Sequence, residues 1–534
     1  MDQAHPQAKS MVIDVNGRIK AIGNFIQLKN AFPDAEKIDL HHQTVLPGFN
    51  DAHIHIWKIG HLRTLMLDLR GTQSIEECKQ KLKKFAKDNP GTKWILARGI
   101  NEAILQEKRL PTKEDLDQAI PDRPVFIIRT CAHIGIANSL AMHQLKVDKE
   151  TKIPFGGRVE KHPNGELNGI FSERALGLIM DHIPPFTREE YQKMILEAQN
   201  YLLSLGITSA TDPAADQELL AVYTDLDQRG LLKMRFNVFP LRIPDGSDCI
   251  LPLPDLYESA HLQIKTIKFF ADGGLSSATA ALNVPYKNTD HDQGVLRLSD
   301  DLFLKAASEA VSSGFRIATH AIGHRAVDLC LNVYEKLNQI NPHLNHRIEH
   351  LGFLEKKNIP IFQQLKIAVA MQPIFIYELA NNFKNTLSDE LLKVVYPIRS
   401  VLDAHITLAL STDGPVVKEL NPFINIATAI TRQSAAGDVI GIDQKISLDE
   451  ALHAYTMGSA KMDNQENTKG SLSIGKVADF IIVDQNPYNC SDLSQIQILE
   501  TWINGSRVFF DSSFSRDLLH NQIKRSTFAA QNKN

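Results

Sequence analysis

Eight short runs rich in Val, Ile and Phe constrain this chain more than any other feature, because most alternate with amphipathic stretches of helical period. They are Val45 to His55, Ile207 to Asp212, Arg235 to Pro240, Thr266 to Ala271, Arg316 to His320, Arg347 to His350, Ile367 to Gln372 and Ile406 to Asp413. Strands that alternate with helices predict βα units and a parallel sheet, and eight such units predict a closed (β/α)8 TIM barrel. Helix signals fall between the runs. Thr187 opens one helix with Glu190 three residues on, and the pattern closes at Gly206. Ser299 opens a second that stops at Gly314, and S-L-D-E from Ser447 is a further capping box.

About 150 residues separate the first run from the second, far more than a βα connection needs, so an inserted lobe is expected there. W-I-L-A-R from Trp94 and V-F-I-I-R from Val125 read as strands within it, and Ser74 to Ala86 as a helix. The chain ends look like partners. Asn16-Gly17 marks a hairpin turn near the start, Asn504-Gly505 a second near the end, and G-K-V-A-D-F-I-I-V-D from Gly475 reads as a strand. The expected layout is a β-sandwich from residues 1–45 and 466–515, a barrel from 46–60 and 186–465, an inserted α/β lobe over 61–185, and a flexible tail at 516–534.

Barrel enzymes carry their chemistry at the carboxyl ends of the strands. His53 and His55 end the first run, Lys268 lies on the fourth, His320 on the fifth, His350 on the sixth and Asp413 on the eighth. In a strand, residues i and i+2 point the same way, so His53-x-His55 would project two imidazoles into one space. Imidazole and carboxylate suit Zn²⁺ and also accept Fe²⁺, Mn²⁺ or Co²⁺. One or two such ions would make hydroxide available at neutral pH, with Asp413 accepting the proton and returning it to a leaving nitrogen. Lys268 cannot ligate as an ammonium; it would serve deprotonated, or as a carbamate bridging two ions. Each residue also has a plainer role: a structural histidine, a strand-end lysine with its head at the surface, an aspartate in the D-G-P turn. All of these would have to hold together for the metal reading to fail.

Composition narrows the partners. A net charge of −4 without a basic stripe argues against nucleic acid, and no stretch nears the ~18 apolar residues of a membrane span. Five scattered cysteines (Cys78, Cys131, Cys249, Cys330, Cys490) and a start without an apolar segment predict reduced thiols and a cytoplasmic setting. The expected partner is a small-molecule substrate, and assembly as a homodimer is compatible with the chain.

At these residues the chain resembles the amidohydrolase superfamily, and within it the third amidohydrolase family, the branch of N-substituted formamide deformylase-like enzymes. The signatures are L-P-G-F-N-D-A-H-I-H at Leu46, L-P-T-K-E-D-L-D at Leu110, P-D-R-P-V ending at Val125, and G-G-R-V at Gly156. They continue with I-K-F-F-A-D-G at Ile267, T-H-A-I-G at Thr319, R-I-E-H at Arg347, S-T-D-G-P-V at Ser411 and G-K-V-A-D at Gly475. The resemblance implies a barrel with a β-sandwich, a divalent metal centre, and hydrolysis of a non-peptide C–N bond in a small amide, N-substituted formamide, carbamoyl compound or cyclic amide. It implies His53, His55, His320, His350 and Asp413 as metal ligands and Lys268 as a carboxylated bridge. His133, in R-T-C-A-H, would contact substrate from the lobe. The alternatives are an aminohydrolase that deaminates a heterocycle, and a non-catalytic barrel used for binding.

The chain also departs from the family pattern. Cys131 and Ala132 replace the Asp and Gly of R-x-D-G-H, and the aromatics usual after R-G and after the Asp of D-G-P-V are absent, which implies a less aromatic pocket wall. His324 stands where an Asp usually caps the following helix; a surface role at the helix end is expected for it. The first terminal strand is shortened.

Overall fold

In the computed structural model, the described residues are 7–41, 43–102, 104–129, 134–154, 157–244 and 247–512. The chain folds as α/β and divides into two compact units, Met1–His55 with Gln199–Asn534, and Ile56–Ala198.

Parallel strands organise the first unit. Strand β1 (Phe49–Asp51) pairs with β2 (Ile207–Ala215), which pairs with β3 (Arg235–Pro240). Strands β4 (Thr266–Phe270), β5 (Arg316–Ala321), β6 (Arg347–His350), β7 (Ala368–Met371) and β8 (Leu408–Leu410) follow in series, every neighbour parallel. Their near-complete burial is what a parallel sheet covered on both faces gives. Strands β3, β6, β7 and β8 are buried at every position. Contacts between the sheets include a parallel bridge between Leu241 and Lys268, and an N–H of Ala52 donated to Leu410 O at 3.4 Å.

Helices fill the connections. Asp300–Ser312 shows why its sequence folds so: Ser299 accepts the Leu302 N–H as N-cap, and Phe303, Ala306, Ala307, Ala310 and Val311 make one buried stripe at helical spacing. The longer His324–Ile340 follows β5. Among the described residues no helix is long and apolar enough to cross a membrane.

The run from Val45 to His55 is not one strand. Thr44–Pro47 pairs antiparallel with Phe480–Val483, while Phe49–Asp51 turns to β2. Gly48 sits at the switch, where a Cβ would come within 2.3 Å of the Thr208 side chain. His53 and His55 therefore lie beyond the strand, which corrects the expectation that they alternate on it. The fourth, seventh and eighth strands are also shorter than their runs, so Asp413 stands past the end of β8.

The terminal segments build two further sheets. Ser10–Ile13 pairs with Ile19–Gly23, and Thr44–Pro47, Phe480–Val483, Ile498–Ile503 and Ser506–Phe510 form a four-stranded antiparallel sheet. Ile19, Ala478, Phe480, Ile482 and Leu499 make their common core. Gly17 (φ +73°) lies against the second turn, where a Cβ would meet Asn504 O at 2.2 Å. Residues 513–534 lie outside the described residues.

The second unit, Ile56–Ala198, holds a six-stranded mixed sheet in the order Met66–Asp68, Ile95–Ile100, Val125–Arg129, Ile134–Ala137, Leu167–Glu173, Gly157–Lys161. The first three strands are parallel and the rest antiparallel. Ser74 caps the helix Ile75–Asp88, whose Ile75, Cys78, Leu82 and Ala86 pack on this sheet.

Candidate metal centre

Four backbone hydrogen bonds place His53 and His55. Ala52 N–H and Ile54 N–H reach Leu410 O and Thr211 O, His55 N–H reaches Gly414 O, and His53 O accepts the Asp413 N–H at 2.8 Å. The segment is thus held from both sides just past the strand, and both imidazoles approach the same carboxylate. Asp413 Oδ1 lies 3.4 Å from His53 Nε2 and 3.3 Å from His55 Nε2.

The sixth strand supplies the next two contacts. His350 (φ +77°) and Asp413 (φ +57°) both hold left-handed backbone, which costs free energy and persists only where packing enforces it. The His350 ring centroid is 4.8 Å from that of His53 and 4.5 Å from that of His320. The ligand atoms of His53, His350 and Asp413 lie within 4.8 Å of one another. His350 Nδ1 donates to Gln372 Oε1 at 2.7 Å, and Gln372 Nε2 donates to Ser411 Oγ, which leaves His350 Nε2 as the lone-pair nitrogen. His53 Nδ1 meets Glu349 Oε2 at 2.6 Å, and an ionised carboxylate can only accept, so His53 Nε2 likewise carries the lone pair. His320 stands at the margin, with Nε2 3.0 Å from Gly273 O.

Burial, the dominant influence, pushes the imidazoles of His53, His320 and His350 below their ordinary pKa, His350 to about 3. All three are neutral near pH 7, the form that binds metal. Burial alone would raise the Asp413 carboxyl, but His53, His55 and His350 hold it below the usual range, so it stays ionised. Lys268 is fully buried and its Nζ has no hydrogen-bond partner among the described residues. Burial lowers it to about 8, against the pull of Glu349 and Asp413.

Of the six ligand candidates, then, His53, His55, His350 and Asp413 converge, His320 flanks them, and Lys268 is coupled to Asp413 through charge. His324 does not join. It is buried and stacked on Phe353 at 4.5 Å, a packing role that corrects the expected surface one. His133 and Cys131 lie outside the described residues.

Sequence reasoning passed over four buried polar residues. Glu349 receives Arg347 as well as His53. Gln372 orients His350. Asp51 accepts from Thr412 Oγ1 at 2.8 Å, from Thr412 N–H, and from Tyr455 OH, tying β1 to the segment before Asp413; burial raises its pKa to about 7. Asp272 accepts three backbone N–H groups, from Ala281, Ile322 and Gly323, and so clamps the loops beyond β4 and β5. The signal for Glu349, Asp51 and Asp272 was their placement inside the quoted motifs, whereas Gln372 only closes the seventh run.

Neutral imidazoles and an ionised carboxylate gathered past the ends of parallel strands define the class: a metal-dependent hydrolase. Known proteins place it further. The Amidohydrolase family model matches residues 36–509, and the chain belongs to that family, as a hydrolase of carbon–nitrogen bonds. It is 29% identical to Protein LONG AFTER FAR-RED 3 of Arabidopsis thaliana, over 95% of this chain and 89% of that one. It is 26% identical to the N-substituted formamide deformylase of Arthrobacter pascens, over 95% of each chain. Among solved structures it is similar to an uncharacterized metal-dependent hydrolase from Pyrococcus horikoshii, with a TM-score of 0.75, 26% identity, and coverage of 91% of this chain and 95% of that one.

Proposed function

We propose that His53, His55 and Asp413 hold a divalent ion with which the protein hydrolyses the C–N bond of a small amide, with N-substituted formamides foremost. One observation carries this reading: a single carboxylate oxygen faces two imidazole Nε2 atoms at 3.3 and 3.4 Å. A charge-assisted hydrogen bond would be about 2.7–2.9 Å. Donors about 2.0–2.1 Å from a shared ion, at a near-tetrahedral angle, stand about 3.3–3.4 Å apart. The donor set and spacing fit Zn²⁺, and they accept Fe²⁺ or Mn²⁺.

When bound, the ion polarises the amide carbonyl and acidifies water. Asp413, ionised at neutral pH, takes a proton from the attacking water as the O–C bond forms. It returns that proton to the nitrogen as the C–N bond breaks, giving an acid and an amine. The neutral fraction of Lys268 can add CO₂ and release a proton, and the carbamate formed is a carboxylate suited to a second ion beside His320 and His350. The strands β1 to β8 are read as one (β/α)8 barrel, since the residues just past β1 and β3 bond to β8 and β4. The terminal strands are read as its companion β-sandwich.

The test is metal content per chain, by plasma mass spectrometry, on protein purified without chelator. One or two equivalents of Zn, Fe or Mn are expected, with turnover of at least one member of an N-formyl amide panel. No metal, and none taken up on titration, would overturn the reading.

A further inference from the structure

Behind the candidate ligands runs a closed ring of buried contacts. His53 Nδ1 meets Glu349 Oε2 at 2.6 Å. Glu349 accepts Arg347 Nε at 2.5 Å on Oε1 and Arg347 Nη2 at 3.0 Å on Oε2. Arg347 Nη1 reaches Asp463 Oδ1 at 3.4 Å, and Asp463 Oδ2 accepts Asn50 Nδ2 at 3.2 Å. Asn50 lies on β1, three residues before His53, so the chain itself completes the ring. Arg347 Nη2 also donates to Ala52 O at 2.7 Å, fixing the backbone that leads into His53.

We infer that Glu349, backed by Arg347 and Asp463, is a positioning residue that sets the His53 imidazole with Nε2 facing the ion. The inference rests on the metal-centre reading above. A purely structural ion pair would need only the bidentate Arg347–Glu349 contact. Here one oxygen of that pair also receives the imidazole N–H, and the same guanidinium grips the backbone before it. A carboxylate behind a ligating imidazole fixes its tautomer and raises its basicity. His350 has only an uncharged amide, Gln372, in the equivalent place. Glu349 thus gives His53 an advantage that His350 lacks.

Zn²⁺ affinity of the metal-free protein, measured by competition with a chromophoric chelator, tests this without any substrate. Glu349→Gln removes the charge. Glu349→Asp keeps a charge for Arg347 but withdraws it from His53, and it serves where Glu349→Gln fails to fold. Each folded variant is expected to bind Zn²⁺ about 10–100-fold more weakly than the parent protein. With Co²⁺ as probe, the visible absorption bands should shift, a change that lost stability alone would not cause. Asp463→Asn, one contact further away, should lose less. A folded Glu349 variant with affinity within twofold of the parent would overturn the inference and leave the metal centre standing. A parent protein that binds no Zn²⁺ would overturn the metal centre itself.

Discussion

The parallel strands of the larger unit carry buried polar residues at both ends, and the two sets differ in how their valences are met. At the amino ends stand arginines. Arg235 opens β3 and makes two contacts to Asp479, one to Asn504 Oδ1 and one to Ala260 O. Arg316 opens β5 and donates to Asn345 O and Met462 O. Lys469, too, has a charge partner, with its Nζ 3.7 Å from the Asp463 carboxylate. At the carboxyl ends the contacts are looser: two imidazole Nε2 atoms stand 3.3 and 3.4 Å from one carboxylate oxygen, and a buried lysine amine has no hydrogen-bond partner among the described residues. Buried polar groups without partners are costly, and proteins keep them where something else satisfies them. The amino ends hold the fold together; the carboxyl ends carry the proposed metal site.

The largest effect should therefore separate activity from stability. His55→Ala or Asp413→Asn is expected to lower kcat/KM on any identified amide substrate by at least about 10³-fold, a loss of about 4 kcal/mol in transition-state stabilisation. The thermal midpoint should hold or rise, as is common when a strained functional group is removed. Full activity in either variant would break the assignment. Arg235→Met tests the opposite end. It takes the charge partner from the Asp479 carboxylate, which is nine-tenths buried and keeps the Asn504 N–H as donor, and should cost about 3–5 kcal/mol by urea unfolding while Zn²⁺ stoichiometry stays unchanged. A loss below about 1 kcal/mol, or a lost metal ion, would erase the contrast between the ends.

The difference also explains what could be read from sequence. Strand identity was legible because short runs with buried Val, Ile and Phe recur between helical stretches, and caps such as Thr187 and Ser299 declared their helices. The candidate ligands were legible because few residue types bind metal. Their supports were not. Alternation along a strand puts Glu349 and His350 on opposite faces, yet both reach the His53 imidazole, because the left-handed backbone at His350 breaks the alternation. His53 and His55 share a side as the i, i+2 rule expects, but backbone hydrogen bonds beyond the strand enforce it. Asp51 and Asp272 work through backbone N–H groups brought in from distant loops, and no local pattern announces such partners. His324 misled for a related reason: its ring packs against Phe353, a contact visible only in three dimensions.

A smaller effect sharpens the comparison with pH. His346, just before β6, belongs to the amino ends, whereas His350 closes the same strand among the candidate ligands. Burial pushes both imidazoles to a pKa of about 3. His346 Nδ1 accepts the Ile317 N–H, so the neutral ring is part of the sheet's bonding. An unfolded histidine titrates near 6.5, so the folded state resists a proton that the unfolded chain takes up. The stability this gives is complete above about pH 6.5 and is lost as pH falls toward 3. Between pH 7 and pH 5 the unfolded chain gains about 1.4 units of proton-binding advantage, a loss of about 2 kcal/mol. Asn at position 346 offers an oxygen to the Ile317 N–H and does not titrate. His346→Asn should therefore shrink the drop in unfolding free energy from pH 7 to pH 5 by about 2 kcal/mol, by urea titration at each pH. The difference should persist with Zn²⁺ present, because the ion would meet His350 at the far end of the strand and leave His346 untouched. An equal drop in parent and variant would mean that His346 is not held neutral by burial. A difference abolished by Zn²⁺ would mean that the two ends of the strands are not independent.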